Sequence, residues 1–217
     1  MTVIAKESIK CGKCNAEYEL PVLHSLFSFG FSDLDFRLPR NGWSNQNDLI
    51  VQECARCGYT NWNLAEDNGI SKEYLKKVKY RNKVLGALRF GRTLHQFHML
   101  YNEMTGLNNI SEAYAALLYA TWCCDDSHRI IEALHYRRKL VKLFKQLPEN
   151  EKNDEGCIAR HIDIMRRACM FKKVLKQYAD FKPKDNNIKK LINYQFELCK
   201  RSDPRRHIMD EIEEMEE

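Results

Sequence analysis

Nowhere in this sequence do 18 apolar residues follow one another, and Lys6, Glu7 and Lys10 interrupt the start where a secretory leader would need an apolar core. The expectation is a cytoplasmic protein with no membrane partner. Catalytic signatures are missing as well: there is no GxSxG elbow, no P-loop, no GxGxxG after a strand and no HExxH. Asp125-Asp126-Ser127-His128 gathers catalytic residue types, but its place between two amphipathic stretches reads as a turn with an N-cap. The expectation is that the chain is not an enzyme. Glycine and proline, 9 and 5 of 217 residues, become rarer after Ser71, which excludes a loop-dominated second half.

What is present divides the chain. With 44% apolar residues there is ample material for a core. Residues 1–66 carry 6 Lys+Arg against 8 Asp+Glu, residues 67–204 carry 27 against 16, and residues 205–217 carry 2 against 6. Up to about Asp67, aromatics and turn residues separate short apolar stretches at Tyr18 to Leu23, Phe27 to Phe31 and Leu49 to Gln52, which predicts strands and turns. Beyond Ser71, apolar residues recur at three- and four-residue steps, as in Leu94, Phe97, Leu100, Tyr101 and Met104. The spacing predicts helices over about 71–84, 86–104, 110–124, 127–147, 155–169, 171–181 and 186–201. The fold class expected is α+β, mainly α: a zinc-ribbon-like β module over 1–66, a helical domain over 67–204 and an acidic tail over 205–217.

Nine cysteines in a reducing compartment stay free, so close pairs point to metal or redox chemistry before disulfides. Cys11 and Cys14 in "CGKCN" repeat the spacing of Cys54 and Cys57 in "CARCGY". A CxxC lets two thiolates curl round one corner of a metal, and the residue after the second cysteine often takes positive φ. Gly58 adopts that freely and Asn15 is among the better alternatives. Four thiolates fit a closed, structural Zn²⁺ site. A redox pair is the alternative, but neither CxxC stands at the strand-to-helix junction of a βαβ unit. The long gap between the pairs suggests an inserted hairpin or loop carrying Phe27 to Arg40.

Cys123, Cys124, Cys157, Cys169 and Cys199 read as small buried hydrophobes. His95 and His98 share a helical face without a third ligand nearby, and His24 is a spare candidate beside a shell already filled by four cysteines. In "RHIDIMRRACMFKKVLKQYADF", Ala168 and Cys169 look like a tight turn between two helices, with Phe171, Val174 and Tyr178 at packing positions, similar to a tetratricopeptide repeat (TPR). A second, looser unit is expected over Tyr114 to Leu147. The acidic tail is expected to continue the last helix or fray, and to mask the basic middle.

The segments "KCGKCNAEYEL", "SDLDFRL", "DLIVQECARCGYTNW", "FGRTLHQFHMLYNEM", "AYAALLYATWCCDD" and "RRACMFKKVLKQY", in that order, resemble a bacterial family of unknown function with a double-CxxC module followed by TPR-like helices. The resemblance covers most of residues 9–181 and implies that Cys11, Cys14, Cys54 and Cys57 are metal ligands; it implies no substrate. Three functions are weighed. The first is a protein–protein interaction module, an adaptor or scaffold presenting a helical surface to a protein partner. The second is nucleic-acid binding through the basic middle, with Trp43, Tyr59 and Trp62 stacking on bases. The third is a zinc- or redox-responsive regulator.

Overall fold

A computed structural model describes residues 2–39, 49–77 and 91–215. The fold is α+β and mainly α, with a small cysteine-bearing β part near the N-terminus followed by helical hairpins. The chain forms two compact units, one of residues 1–27 and 42–129, the other of residues 28–41 and 130–217. Among the described residues no helix is long and apolar enough to cross a membrane.

The first unit begins with a hairpin. Strand β1 (Val3–Lys10) pairs antiparallel with β2 (Glu17–Ser25), in register from Ile9↔Tyr18 and Lys10↔Glu17 at the turn. A smaller hairpin joins β3 (Gln52–Glu53) to β4 (Thr60–Asn61). Strand β1 falls in the region expected to hold strands and turns, ahead of the three apolar stretches named there. The stretch 27–31 is not a strand, and of Leu49 to Gln52 only the last residue enters one.

Residues 72–77 are helical; the rest of the helix expected over 71–84, and the start of the one expected over 86–104, lie outside the described residues. Helix α1 (Arg92–Gly106) and helix α2 (Ile110–Asp126) form an antiparallel pair across a three-residue link, 107–109. Asn109 caps α2 by accepting the Glu112 N–H at 3.3 Å. One core runs from Ile9 through Cys11, Cys54, Tyr59 and Leu64 to Ile70 and Leu75, with Tyr74 and Leu107 packed on it. The small hairpins thus borrow apolar surface from the helices behind them. That answers the weakness of two-stranded sheets on their own.

The second unit holds helices α3 (Ile130–Phe144), α4 (Glu149–Lys152), α5 (Glu155–Arg167), α6 (Phe171–Gln177) and α7 (Asn186–Lys200), then a 3₁₀ helix over Met209–Met215. Helix α5 packs on α3, α6 and α7. Helix α4 occupies the gap left between the helices expected over 127–147 and 155–169: Pro148 stands at its N-cap and Glu149 and Glu151 fill its first turn, where carboxylates favour the helix dipole. Helix α2 lies in the first unit and α3 in the second, so the looser repeat expected over Tyr114 to Leu147 is divided between them. Beyond α7 the chain turns at Ser202 and forms the 3₁₀ helix instead of continuing α7.

Several helices end the same way. Asn108, His128, Cys169 and Ser202 each adopt positive φ, and the next residue's N–H reaches back five positions, as in Asn109→Met104 and Met170→Met165 at 2.9 Å. These are Schellman stops built without glycine. At Ala168-Cys169 this makes the tight turn expected there, and Val174 and Tyr178 are buried as anticipated while Phe171 is half-buried. Cys169 itself is exposed, contrary to its expected burial, because the left-handed residue of such a stop stands outside the helix. The Asp125-Asp126-Ser127-His128 turn is likewise a helix C-terminus, with Ser127 at the C-cap of α2.

Candidate metal centre

Each CxxC is the turn of a hairpin. Cys11 to Ala16 links β1 to β2, and Cys54 to Tyr59 links β3 to β4. The two turns share one hydrogen-bond pattern. The first cysteine's N–H donates to the carbonyl five residues on, Cys11 to Ala16 at 2.9 Å and Cys54 to Tyr59 at 2.8 Å. Its carbonyl accepts from the residue after the second cysteine, Asn15 at 2.9 Å and Gly58 at 2.8 Å. That geometry demands positive φ, and Asn15 and Gly58 have 57° and 77°, as their residue types led one to expect. Gly12 is required for a different reason: a Cβ there would stand 2.8 Å from the Ala65 carbonyl oxygen, because the first turn lies against the backbone of 64–67.

The turns bring four sulfurs together. Sγ of Cys11, Cys14, Cys54 and Cys57 all lie within 4.8 Å of one another, in the only cluster among the described residues with ligand geometry for a metal. Cys11 Sγ is 3.8 Å from Cys57 Sγ, and Cys14 Sγ is 3.5 Å from Cys54 Sγ. A regular tetrahedron with metal–sulfur bonds of ~2.3 Å has edges of ~3.8 Å, so the donor set fits a four-coordinate thiophilic ion. No family model, curated protein or solved structure matches the chain.

Cys11 and Cys54 are fully buried and Cys14 and Cys57 half-buried. Amide N–H groups point at the buried pair: Lys13 N–H at Cys11 Sγ and Cys57 N–H at Cys54 Sγ, both at 3.4 Å. The Tyr18 hydroxyl lies 3.3 Å from Cys54 Sγ and accepts the Arg56 N–H at 3.0 Å, so its proton is directed to the sulfur. Burial works against ionisation of Cys54, yet the Tyr18 hydroxyl and the Cys57 N–H outweigh it and bring the thiol down to about 6. Burial pushes Cys11 and Cys57 up. Four sulfurs this close cannot all be thiolates without a cation to neutralise them, and the amides and hydroxyl facing them favour the thiolate form.

Surrounding side chains lock the second turn. Tyr59 is fully buried; its hydroxyl donates to the Glu66 carbonyl at 2.7 Å and accepts the Asn68 N–H at 2.9 Å and an Asn61 amide N–H at 3.0 Å. Lys13 forms an ion pair with Asp67 that holds this carboxyl below the ordinary range. Glu103 of α1, fully buried, accepts the Thr60 N–H at 3.3 Å, and burial pushes its carboxyl up to about 8. Trp62 donates its indole N–H to Glu112 and packs against Phe97 and Tyr119 with centroids 5.9 and 5.5 Å away.

The remaining candidates lie elsewhere. His24 pairs with Glu7 at 2.8 Å on the first hairpin, His95 is buried in α1, and His98 stands beside Tyr101; none joins the sulfur cluster. Cys123, Cys124 and Cys199 are buried as expected, and Cys157 is half-buried. Trp43 lies outside the described residues. Tyr18, Gly12 and Glu103 were not read from the sequence. A tyrosine four residues beyond a CxxC, on an alternating strand, is the one local signal that pointed to the first of them.

Proposed function

We propose that this chain is a non-enzymatic interaction module, an adaptor or scaffold, in which one structural Zn²⁺ held by Cys11, Cys14, Cys54 and Cys57 fixes the β part and the helices offer a surface to a protein partner. The observation that carries this reading is the closed shell of four sulfurs. A four-thiolate site leaves no open coordination position for a substrate or an activated water, and zinc adds no redox chemistry of its own. The ion would supply a cross-link between two turns whose own hairpins are short. Among divalent ions, an all-sulfur tetrahedral set favours zinc over the harder, oxygen-seeking metals.

The rest of the site is built for support. Tyr18, Lys13, Tyr59 and Glu103 each hold a turn in place through a hydrogen bond or ion pair of their own. The nucleic-acid reading draws on the basic excess of residues 67–204. Against it, Tyr59 is buried, and the half-buried Trp62 already packs on Phe97 and Tyr119, which leaves less aromatic surface for stacking on bases.

Native mass spectrometry tests the proposal. One zinc per chain is expected, absent from a Cys54→Ser/Cys57→Ser variant, and affinity capture with the zinc-loaded chain should then retain a protein partner that the variant loses. A chain that carries no metal, or binds polyanions in a salt-dependent gel shift more tightly than any protein, would refute it.

A further inference from the structure

Residues 32–37, Ser-Asp-Leu-Asp-Phe-Arg, belong to the second unit although they lie in the sequence between the two CxxC turns. They form one tight turn: Phe36 N–H donates to the Asp33 carbonyl, and Asp33 N–H to the Arg37 carbonyl, both at 2.9 Å. Leu34 is 1% exposed and Asp33 2%, while Phe29, Phe31 and Leu38 on either side are exposed. The engaged part is therefore a short motif.

Recognition of this motif is specific and mostly polar. The Asp33 carboxylate takes a bidentate pair from Arg206, at 2.8 Å from Nε and 2.7 Å from an Nη. Backbone bonds run in both directions, Leu34 N–H to the His207 carbonyl at 3.3 Å and Met209 N–H to the Ser32 carbonyl at 2.8 Å, so the turn adds a bridge beside Ile208. Arg160 of α5 donates to the Asp35 carbonyl at 3.1 Å and lies over the Phe36 ring at 5.5 Å, and Gln195 of α7 reaches the Leu34 carbonyl at 3.4 Å. Phe36 has φ of 64°, a left-handed conformation unfavourable for an aromatic residue where glycine or asparagine would relax the turn. Such strain persists where a side chain is kept for its contact, and here the contact is Arg160.

The wall that receives the turn is held without it. The fully buried Arg166 pairs with Asp163 at 2.6 Å and donates to the carbonyls of Asp203 and Arg205 at 2.6 and 2.9 Å. His207 is fixed by Glu211 at 2.5 Å, and Tyr194 donates to the same carboxylate at 2.9 Å. None of these bonds uses a residue of the turn.

We propose that the face built from α5, α7 and residues 203–209 is a receptor for an acidic turn of the Asp-Leu-Asp-Phe type, filled in cis by residues 32–37 and open to the same motif of a protein partner when that strap is displaced. It rests on the interaction-module reading and names the partner's chemistry: a leucine between two carboxylates, followed by an aromatic residue. A tethered strap competes at an effective concentration of order mM, so the wild-type receptor answers only to a partner that outbids it or to loosening of the strap.

The test uses a fluorescein-labelled peptide of sequence Ser-Asp-Leu-Asp-Phe-Arg-Leu-Pro, titrated by anisotropy into the full zinc-loaded chain. Leu34→Ala removes the one fully buried apolar anchor of the strap and loosens it, so this variant should bind the peptide at least tenfold more tightly than wild type. Adding Arg206→Glu should abolish that gain, and a peptide with lysine in place of its first aspartate should not bind. Equal binding by wild type and Leu34→Ala, or a strap-exchanged dimer that ignores the peptide, overturns the proposal. Should Leu34→Ala fail to fold, hydrogen exchange on wild type with ~1 mM peptide decides: loss of amide protection at Phe36 and Arg37 supports displacement, and unchanged protection overturns it. Zinc content measured alongside separates this result from the metal reading. A chain that holds its zinc and captures a partner through another surface, yet ignores the peptide, defeats the receptor alone.

Discussion

The hydroxyl of Tyr18, on the strand that leaves the first cysteine turn, lies 3.3 Å from Sγ of Cys54 in the second. Its oxygen takes the Arg56 N–H at 3.0 Å, so the phenol joins the backbone of one turn to a ligand of the same turn from a strand belonging to the other. Removing the hydroxyl leaves all four sulfurs in place and removes one hydrogen bond to a thiolate. Outer-shell losses of this kind typically cost about 10- to 100-fold in metal affinity. Tyr18→Phe is therefore expected to bind zinc about tenfold more weakly, read by competition against a chromophoric chelator, with the stoichiometry unchanged.

Glu103 gives a pH signature of opposite sign to most carboxylates. Burial raises its folded pKa to about 8 from an ordinary 4.5, so the unfolded chain releases the proton more readily. Its contribution is fully present below pH 4.5 and is lost as pH rises through about 8. Glu103→Gln keeps an acceptor for the Thr60 N–H and removes the ionisation. The variant should gain on wild type by on the order of 2 kcal/mol between pH 6 and pH 8, a range in which the thiolate site keeps its metal, measured by denaturant unfolding of the zinc-loaded protein.

His161 acts at the other end of the scale. It is stacked on Phe144 at 3.7 Å between centroids, faces the Tyr178 ring at 6.3 Å, and burial, helped by Lys173 and Lys145, brings it down to about 3. The folded state resists its protonation, so this stability is complete above pH 6.5 and is lost as pH falls toward 3, roughly 1.4 kcal/mol per unit. His161→Phe preserves the stack and should move the acid-unfolding midpoint to lower pH. An unshifted midpoint would show that the imidazole is not held neutral.

The helix stops offer a stability test independent of the metal. Cys169 is exposed, with φ of 61°, at a position where glycine carries no left-handed penalty. Cys169→Gly should stabilise the helical unit by about 1 kcal/mol, raising its thermal midpoint, while Ala at the same site should not.

How far the sequence reveals this molecule depends on the range of the interaction. Asn15 and Gly58 announce the two turns because the φ they adopt is a property of a single residue, and the bodies of α1, α2, α5 and α7 are visible in their apolar spacing. Strand β1 was not legible: Val3 to Lys10 alternates weakly, and its pairing depends on the cysteine turn that closes the hairpin, which reads first as a metal knuckle. Cys169 misleads because residue type favours burial while the backbone of a helix stop turns the residue outward. The burial of Asp33 and Asp35 is the least legible feature of all. Nothing local marks two carboxylates in a loop for burial, and the partner of the first, Arg206, stands far along the chain.

The central claim is that two hairpin turns converge on one tetrahedral cation. X-ray absorption at the zinc edge of the purified protein tests it most directly. The prediction is a single shell of four sulfurs at about 2.3 Å. A shell containing nitrogen or oxygen, fewer than four sulfurs, or no zinc at all would contradict it.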